Sequence, residues 1–233
     1  MHIEATDILK RYGKKTALNV PDWSVQPGEI VGLVGSNGAG KTTFLRLILD
    51  LLQPDYGEIR IDGRPVSDAQ HWKPRTGSYL DESFLMGFLT IREYLHFIGS
   101  VYGFQNGTTE RALESFHSFL PRNPEEGSPK LVRELSTGNG KKVGIVAAMF
   151  IRPDLLILDE PFANLDPPSQ IRLKQHILKL ARESGTTMII SSHDLGHVTE
   201  ICSRITLLDD GHIVRDDRTS AETLSELQTY FSS

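Results

Sequence analysis

The 233-residue sequence has little cysteine, no long apolar run and no excess of positive charge, and each shortage excludes a class of protein. Cys202 is the only cysteine, so an intramolecular disulfide and a cysteine metal cluster are both excluded. The longest uncharged apolar run, residues 143–151, has nine residues, whereas a helix that spans a bilayer needs about twenty. The first fifteen residues hold six charged side chains and no apolar stretch, which is not typical of a secretory signal. We therefore expect a cytoplasmic protein without a membrane span.

The charge balance also argues against nucleic acids as partners. Lysine and arginine together number 25, aspartate and glutamate 30, which gives a net charge of −5. Domains that bind nucleic acids are usually basic. Lys14–Lys15 and Lys141–Lys142 are the only adjacent lysines, and we interpret both pairs as solvated surface. We therefore do not expect a nucleic acid as a partner.

The order of apolar patterns predicts an α/β fold. Residues 3–10 and 16–25 alternate apolar and polar side chains, which indicates two antiparallel strands. Further along, short β-branched runs alternate with helical patterns, which implies right-handed crossovers and a mainly parallel sheet. Helical patterns over 90–102 and 109–120, followed by a proline-rich stretch at 121–129, indicate a short helical insertion that ends in a loop.

A glycine-rich loop at residues 35–42 reads Gly-Ser-Asn-Gly-Ala-Gly-Lys-Thr and matches the phosphate-loop pattern G-x-x-x-x-G-K-[ST]. It lies between a predicted strand and a predicted helix, so its backbone N–H groups and the positive end of the helix dipole point to one place. We expect Lys41 to contact the β and γ phosphates of a nucleotide, Thr42 to bind Mg²⁺ and Thr43 to reach the α phosphate. The other residues expected to cradle the phosphates are Gly35, Ser36, Asn37, Gly38, Ala39 and Gly40. A chance match is expected in about one random chain of this length in a hundred, and the motif alone does not distinguish kinases, GTPases and ATPases.

Two adjacent acids follow an apolar strand predicted at residues 155–158. Ligands of parallel α/β sheets bind outside the carboxyl ends of the strands, so Asp159 and Glu160 are expected to border the phosphate loop. We expect Asp159 to hold Mg²⁺ through water, and Glu160 to polarise the water that attacks the γ phosphate. The alternative is that the pair only caps the segment that begins with Pro161.

A histidine, His193, follows the next predicted strand, residues 188–192. If this strand lies beside the strand of Glu160, the imidazole can hydrogen-bond the γ phosphate and orient the attacking water. The seven other histidines have no such placement, and we interpret them as surface or core residues.

A second candidate anion site lies at residues 135–139, which read Leu-Ser-Thr-Gly-Asn before a predicted helix. The Ser136 hydroxyl, the Gly138 amide and the helix dipole are all suited to a phosphate. Because the phosphate loop already serves one nucleotide, a second such site is of use if it contacts the ATP held by another copy. With this motif the chain resembles the ATP-binding cassette (ABC) family of ATPases, whose signature LSGGQ appears here as LSTGN.

The resemblance covers nearly the whole chain and depends on five motifs in order. Residues 35–42 are similar to the family's Walker A loop, and residues 155–160 to its Walker B strand. Tyr12 resembles the aromatic residue that stacks on adenine, Asp166 ends a segment similar to the D-loop, and His193 resembles the switch histidine. Their joint occurrence is far more specific than any one of them.

Two departures from the family pattern concern metal and phosphate contacts. Glu82 stands where the family usually has a glutamine; it could still bind Mg²⁺ but adds charge near the γ phosphate. In the signature, Thr137 and Asn139 replace a glycine and a glutamine. Ser136 and Gly138, the two residues that contact phosphate in the family, are retained, so we expect that contact to survive.

The resemblance implies a single domain over residues 1–233 with a P-loop NTPase fold. Residues 1–81 and 154–233 would form a RecA-like core with an antiparallel β subdomain, and residues from about 82 to 153 a helical subdomain. It further implies that two cassettes pair head to tail around two ATP molecules with Mg²⁺, and that hydrolysis opens the pair. This movement would drive separate membrane-spanning permease subunits, which places the chain at the inner face of the cell membrane.

An apolar stretch after Glu82 lies where the family receives a coupling helix from its membrane partner. Its members are Phe84, Leu85, Met86, Phe88 and Leu89. The stretch is equally consistent with simple packing in the core of the insertion. The short insertion, Glu82 and the sequence LTIREYL resemble cassettes of exporters more than those of importers.

Two other functions are compatible with parts of the sequence. A soluble ABC ATPase that acts on ribosomes or DNA would share the motifs, but such relatives usually carry two cassettes in one chain or long inserted coiled coils. A P-loop kinase or GTPase would share the phosphate loop but would leave residues 135–139 without a role.

Overall fold

The computed structural model describes residues 1–105, 107–121 and 130–232. Its central sheet, within these residues, has six strands: β3 (Ile30–Val34), β6 (Thr76–Tyr79), β7 (Leu155–Leu158), β8 (Thr187–Ser192), β9 (Arg204–Asp209) and β10 (His212–Arg218). The order across the sheet is β10-β9-β3-β8-β7-β6. All neighbours are parallel except the edge pair of β10 and β9. The carboxyl ends of β3, β7 and β8 therefore meet at one edge of the sheet.

The strands at the centre of this sheet are apolar because both of their faces are covered. β3, β7 and β8 are buried along their whole length. In β7, Leu156 and Leu158 join one apolar cluster, while Leu155 and Ile157 join a second cluster on the opposite face. Successive side chains of a strand point to opposite faces, so a strand covered on both sides needs apolar residues at every position.

A second, antiparallel sheet covers one face of the first. In the described residues it contains β1 (Ile3–Tyr12), β2 (Lys15–Val25), β4 (Tyr56–Ile61) and β5 (Arg64–Pro65), in the order β2-β1-β4-β5. Asp62 and Gly63 both have positive φ, as the tight turn between β4 and β5 requires. The two sheets are joined through Trp23, whose indole donates a 3.0 Å hydrogen bond to Thr206 and packs on Phe44.

Seven described α-helices surround the sheets. They are α1 (Lys41–Ile48), α2 (Ile91–Val101), α3 (Thr108–Leu113), α4 (Thr137–Met149), α5 (Pro167–Ser184), α6 (Leu195–Ile201) and α7 (Thr223–Ser232). None of them is both long and apolar enough to cross a bilayer.

The predicted α/β class, with a mainly parallel sheet and an antiparallel β subdomain, is confirmed. The predicted helix over 109–120 is shorter in the structure, because α3 ends at Leu113 and a 3₁₀ turn, Glu114–Phe116, follows it. Of the proline-rich loop predicted at 121–129, residues 122–129 lie outside the described residues. The division into a core and a helical subdomain stays a prediction.

Candidate functional site

The glycine-rich loop joins β3 to α1 and lies at the edge where the parallel strands end. Two of its glycines are required by close packing: a Cβ on Gly35 would lie 2.3 Å from the carbonyl oxygen of Leu208, and one on Gly40 would lie 2.6 Å from that of Ala17. Gly38 and Gly40 also have positive φ. The loop can therefore curl tightly at the start of α1, which is the arrangement that phosphate binding needs.

Lys41 lies across this loop and is almost completely buried, with 6% of its surface exposed. Its Nζ donates hydrogen bonds to the carbonyl oxygens of Gly35, at 2.7 Å, and Ser36, at 3.1 Å. The same ammonium lies 3.3 Å from Oε1 of Glu160. The ammonium of Lys41 therefore contacts both the phosphate loop and the carboxylate of Glu160.

A pocket of about 310 Å³ opens between β1, β2 and the loop. Tyr12 stands at its rim with about half of its surface exposed, so one face of the ring is available for stacking. The lining residues are Tyr12, Lys15, Ala17, Asn37, Gly38, Gly40, Lys41, Thr42, Thr43 and Glu160. The aromatic ring, the loop and one acid predicted from the sequence therefore share one pocket.

Two side chains whose oxygen atoms are suited to bind Mg²⁺ lie together beside the loop. Thr42 Oγ1 donates a 2.6 Å hydrogen bond to Oδ2 of the buried Asp159, whose other oxygen accepts from the Ser191 hydroxyl. Mg²⁺ prefers oxygen ligands and keeps several waters. The hydroxyl and the carboxylate therefore fit a Mg²⁺ that takes its other ligands from phosphate and water. Among the described residues no three His, Cys, Asp or Glu side chains converge on one metal position.

The third predicted metal ligand is Glu82, and its side chain lies against α4. In the described part of the chain no hydrogen bond joins it to Thr42 or Asp159, and its Oε1 is buried without a hydrogen-bond partner. Its Cγ lies 3.7 Å from where a Cβ on Gly140 would stand, so the side chain lies on α4. Its role as a metal ligand stays a prediction.

Glu160 is held in an unusual backbone conformation at the end of β7. Its φ of 46° lies in the left-handed region, which non-glycine residues rarely adopt and which is concentrated at functional sites. Its N–H donates to Ser191 Oγ at 2.8 Å, and its carbonyl oxygen accepts from Lys141 Nζ at 2.9 Å. The carboxylate accepts from His193 Nδ1 at 2.8 Å through Oε2. The predicted neighbourhood of β7 and β8 is present, and it brings Glu160 and His193 into contact.

The second anion site forms a separate, open pocket of about 520 Å³. Ser136 is the N-cap of α4, and its hydroxyl oxygen accepts from the Asn139 N–H at 3.4 Å. Gly138 is required by packing, because a Cβ there would lie 2.6 Å from the carbonyl oxygen of Asn164. The pocket is lined by Ser136, Thr137, Gly138, Asn139, Lys142, Asn164 and Asp166.

Asp166, which lines this pocket, also stabilises the start of α5. It caps α5 by accepting from the N–H and hydroxyl of Ser169, and it pairs with Lys142 at 3.0 Å. The Ser169 hydroxyl, followed by Lys142, holds the pKa of Asp166 well below its usual range. Its predicted contact with nucleotide stays a prediction.

The apolar residues after Glu82 were compatible with a docking surface or with core packing, and the structure divides them between buried and exposed positions. Leu85, Met86 and Leu89 pack against the core, whereas Phe84 and Phe88 are 54% and 67% exposed. Core packing thus accounts for three of the five side chains, and the two phenylalanines remain exposed.

The sequence interpretation missed two groups around Glu160. Lys141 is buried, with 6% of its surface exposed, so its interpretation as solvated surface is wrong. The reason is that α4 is buried at nearly every position from Gly140 to Met149, including Lys141. Ser191, which contacts Asp159 and Glu160, carried no signal beyond its place at the end of a predicted strand.

Comparisons with known proteins agree with this geometry. The model of the ABC transporter family matches residues 18–163. The chain is 33% identical to the bacitracin transport ATP-binding protein BcrA of Enterococcus faecalis, over 92% of this chain and 68% of that protein. It is 31% identical to the Nod factor export ATP-binding protein I of Burkholderia lata, over 97% of this chain and 73% of that protein.

Some other relatives are matched over little more than half of their length. Among solved structures, the dimeric structure of MJ0796, a bacterial ABC transporter cassette, superposes with a TM-score of 0.81 at 27% identity, over 94% of this chain and 99% of that one. The chain belongs to the ABC transporter family, as an ATP-binding ATPase subunit.

Proposed function

We propose that two cassettes pair head to tail and enclose two ATP molecules, each held by the phosphate loop of one copy and residues 136–139 of the other. The observation that carries this proposal is the separation of two anion-binding loops into two pockets without a common lining residue. One triphosphate needs only one such loop within a chain. A second loop that opens to the surface can serve a triphosphate bound by a neighbour.

The two halves of the shared site supply different contacts. In the first copy, Tyr12 stacks on adenine, the loop residues 35–40 donate backbone N–H groups, and Lys41 and Thr43 contact phosphate oxygens. In the second copy, Ser136 Oγ already accepts from the Asn139 N–H, so its hydroxyl hydrogen is available to a phosphate oxygen. ATP touches both copies only when they are closed, and therefore binding favours closure and hydrolysis releases it.

The chemistry is carried by Glu160. Its carboxylate accepts a proton from the attacking water, and His193, which donates to the same carboxylate, fixes its direction and can reach the γ phosphate. Lys41 carries positive charge to the β and γ phosphates. Mg²⁺, held by Thr42 and through water by Asp159, would neutralise charge on the phosphates.

The cassette drives transport, and its direction is export, at the inner face of a cell membrane. Phe84 and Phe88 are both exposed in the predicted helical subdomain (residues from about 82 to 153), which suits a docking surface for a permease subunit. Export is supported by relatives whose names state bacitracin transport and Nod factor export. A net charge of −5 does not favour the alternative, action on ribosomes or DNA.

The experiment is the Glu160→Gln exchange, which keeps the size of the side chain and removes its basicity. Turnover should fall by about 10² to 10⁴-fold, the usual contribution of a general base, while ATP binding persists. Because ATP is not consumed, the variant should accumulate as an ATP-dependent dimer in analytical ultracentrifugation. A variant that hydrolyses ATP at the unmodified rate and stays monomeric would refute the proposal.

The same variant tests the transport partner. Extracted from cells with detergent and ATP, it should co-purify with a protein of several membrane spans. Co-purification with ribosomes or DNA in its place would support the soluble alternative and contradict transport.

A further inference from the structure

Lys141 is a buried cation for which the proposed mechanism has no use. It is the fifth residue of α4, and only 6% of its surface is exposed. A buried ammonium is costly unless it is paired and hydrogen-bonded. Here its Nζ donates a 2.9 Å hydrogen bond to one acceptor, the main-chain carbonyl oxygen of Glu160.

The residue that accepts this bond has a strained backbone. Glu160 has φ 46°, so it needs support from its neighbours to stay in the left-handed region. Both of its main-chain polar groups are hydrogen-bonded: the N–H donates to Ser191 Oγ at 2.8 Å, and the carbonyl oxygen accepts from Lys141 Nζ at 2.9 Å and from the Ala163 N–H at 3.3 Å. The bond from Lys141 is the shorter of the two at the carbonyl oxygen. A relaxation of this backbone would swing the Cβ atom, and with it the carboxylate that activates water.

Three carboxylates near Lys141 partly compensate for the burial of its charge. Glu82, Glu160 and Asp159 all act on it electrostatically, and Glu82 has the largest effect of the three. Burial lowers the pKa of Lys141 below its ordinary value, and the three carboxylates, which favour the charged form, offset this effect only in part. The ring of Tyr79 covers the ammonium at 6.0 Å. The cation is therefore enclosed by groups that hold it at the Glu160 carbonyl.

We propose that Lys141 is a positioning residue for ATP hydrolysis: its ammonium holds the Glu160 carbonyl and thereby fixes the direction of the Glu160 carboxylate. This inference rests on the proposed role of Glu160 as the general base. The bond also crosses from α4, in the predicted helical subdomain, to the end of β7 in the core. Glu82, at the start of the same subdomain, supplies the counter-charge.

The test is Lys141→Met, which keeps most of the length of the unbranched side chain and removes the donor. Lys141 does not line the nucleotide pocket, so the KM for ATP should change less than about twofold, whereas kcat should fall about 10- to 100-fold, as expected for a misplaced catalytic group. Lys141→Arg, which keeps a charged donor, should retain more of the rate than Lys141→Met. Lys174→Met is the matched control: Lys174 is another largely covered lysine, paired with Glu200 on α6, and its loss should leave kcat unchanged.

A second comparison separates positioning from simple loss of structure. If Lys141 acts through Glu160, Lys141→Met should change the residual rate of a Glu160→Gln chain less than about twofold, since coupled changes are not additive. An equal loss in both backgrounds, a rise in KM that accompanies the loss in kcat, or an unmodified rate in Lys141→Met would each overturn the proposal.

Two further controls distinguish loss of positioning from unfolding and from failure of the proposed function. Melting temperatures are measured for every variant, and if Lys141→Met melts below the assay temperature, Lys141→Gln is used with the same expected split between KM and kcat. Failure of the proposed function is recognised separately, because Glu160→Gln alone would then keep its turnover whatever the Lys141 variants do.

Discussion

Lys41 illustrates how much one side chain does at the phosphate loop. Its ammonium donates to two loop carbonyls and lies 3.3 Å from the Glu160 carboxylate. These contacts hold the cation at the floor of the pocket, where the phosphates of a nucleotide would enter. A preorganised charge is more effective there than a flexible surface lysine, because less ordering is required when the ligand binds.

We expect Lys41→Ala to weaken ATP binding about 10- to 100-fold, because hydrogen bonds to charged groups contribute about 1.5 to 3 kcal/mol. The dissociation constant is measured by titration with a fluorescent ATP analogue. Lys14→Ala is the control, since Lys14 is exposed and does not line the pocket. Equal affinity of the Lys41→Ala and unmodified chains would contradict the assignment of this pocket to the triphosphate.

The sequence predicted individual side chains well where a motif prescribes them, and poorly where only the fold brings groups together. The phosphate loop is a local pattern, so Lys41 and Thr42 could be placed in advance. Lys141 reaches Glu160 across 19 positions of sequence, and Ser191 reaches it across 31. No local pattern reports such contacts, because they depend on the packing of α4 and β8 around β7.

Three helix boundaries show that groups at the helix ends predict a boundary more reliably than apolar periodicity does. α4 begins at Thr137, inside the segment 135–139 that the sequence pattern placed before the helix, because Ser136 caps it. α1 ends at Ile48, Leu49 is its C-cap, and Asp50 then adopts a positive φ. α2 begins where Thr90 and Glu93 form a reciprocal capping box. In all three helices the boundary is set by one or two side-chain or backbone groups at the end and not by the apolar periodicity.

The capping box of α2 can be tested without affecting chemistry. Thr90→Ala should lower the free energy of unfolding by about 1 kcal/mol, the usual loss for an N-cap. For a domain of this size the melting temperature should fall by about 2 to 4 °C. Thr90→Ser, which keeps the hydroxyl, should be nearly neutral, and equal losses in both variants would contradict the cap.

The same box predicts a pH dependence. The Thr90 N–H, followed by the Thr90 hydroxyl, lowers the pKa of Glu93 below its ordinary value of 4.5. A group whose pKa is lowered on folding contributes stability that is present above its unfolded pKa and lost as the pH falls through the folded pKa. The stability difference between the unmodified chain and Thr90→Ala should therefore be largest above pH 4.5 and shrink below it, as followed by denaturant unfolding at a series of pH values.

For the molecule as a whole, the organising feature is that the two anion-binding loops lie in different pockets. The phosphate loop follows β3 in the core, and Ser136 begins α4 in the predicted helical subdomain. The parallel sheet, the helical insertion and the antiparallel sheet could be predicted from alternating patterns of strand and helix. The motif at residues 135–139 also predicted that two copies share ATP, but it could not predict which other surfaces of the two molecules meet, because a local pattern carries no information on them.

A complementation assay asks directly whether one ATP is shared by two copies. Lys41→Ala and Ser136→Ala chains are each purified, and each alone should hydrolyse ATP slowly. In a mixed dimer that pairs head to tail, the intact phosphate loop of the Ser136→Ala copy faces the intact Ser136 of the Lys41→Ala copy. A chain with both changes, mixed with Lys41→Ala, is the inactive control.

The decisive measurement is the ATPase rate of the equimolar mixture. Random pairing makes half of the dimers mixed, each with one intact site of two, so the rate should recover to about a quarter of the unmodified rate if the sites act independently. A mixture no faster than either variant alone would contradict the shared site and leave each ATP inside a single chain.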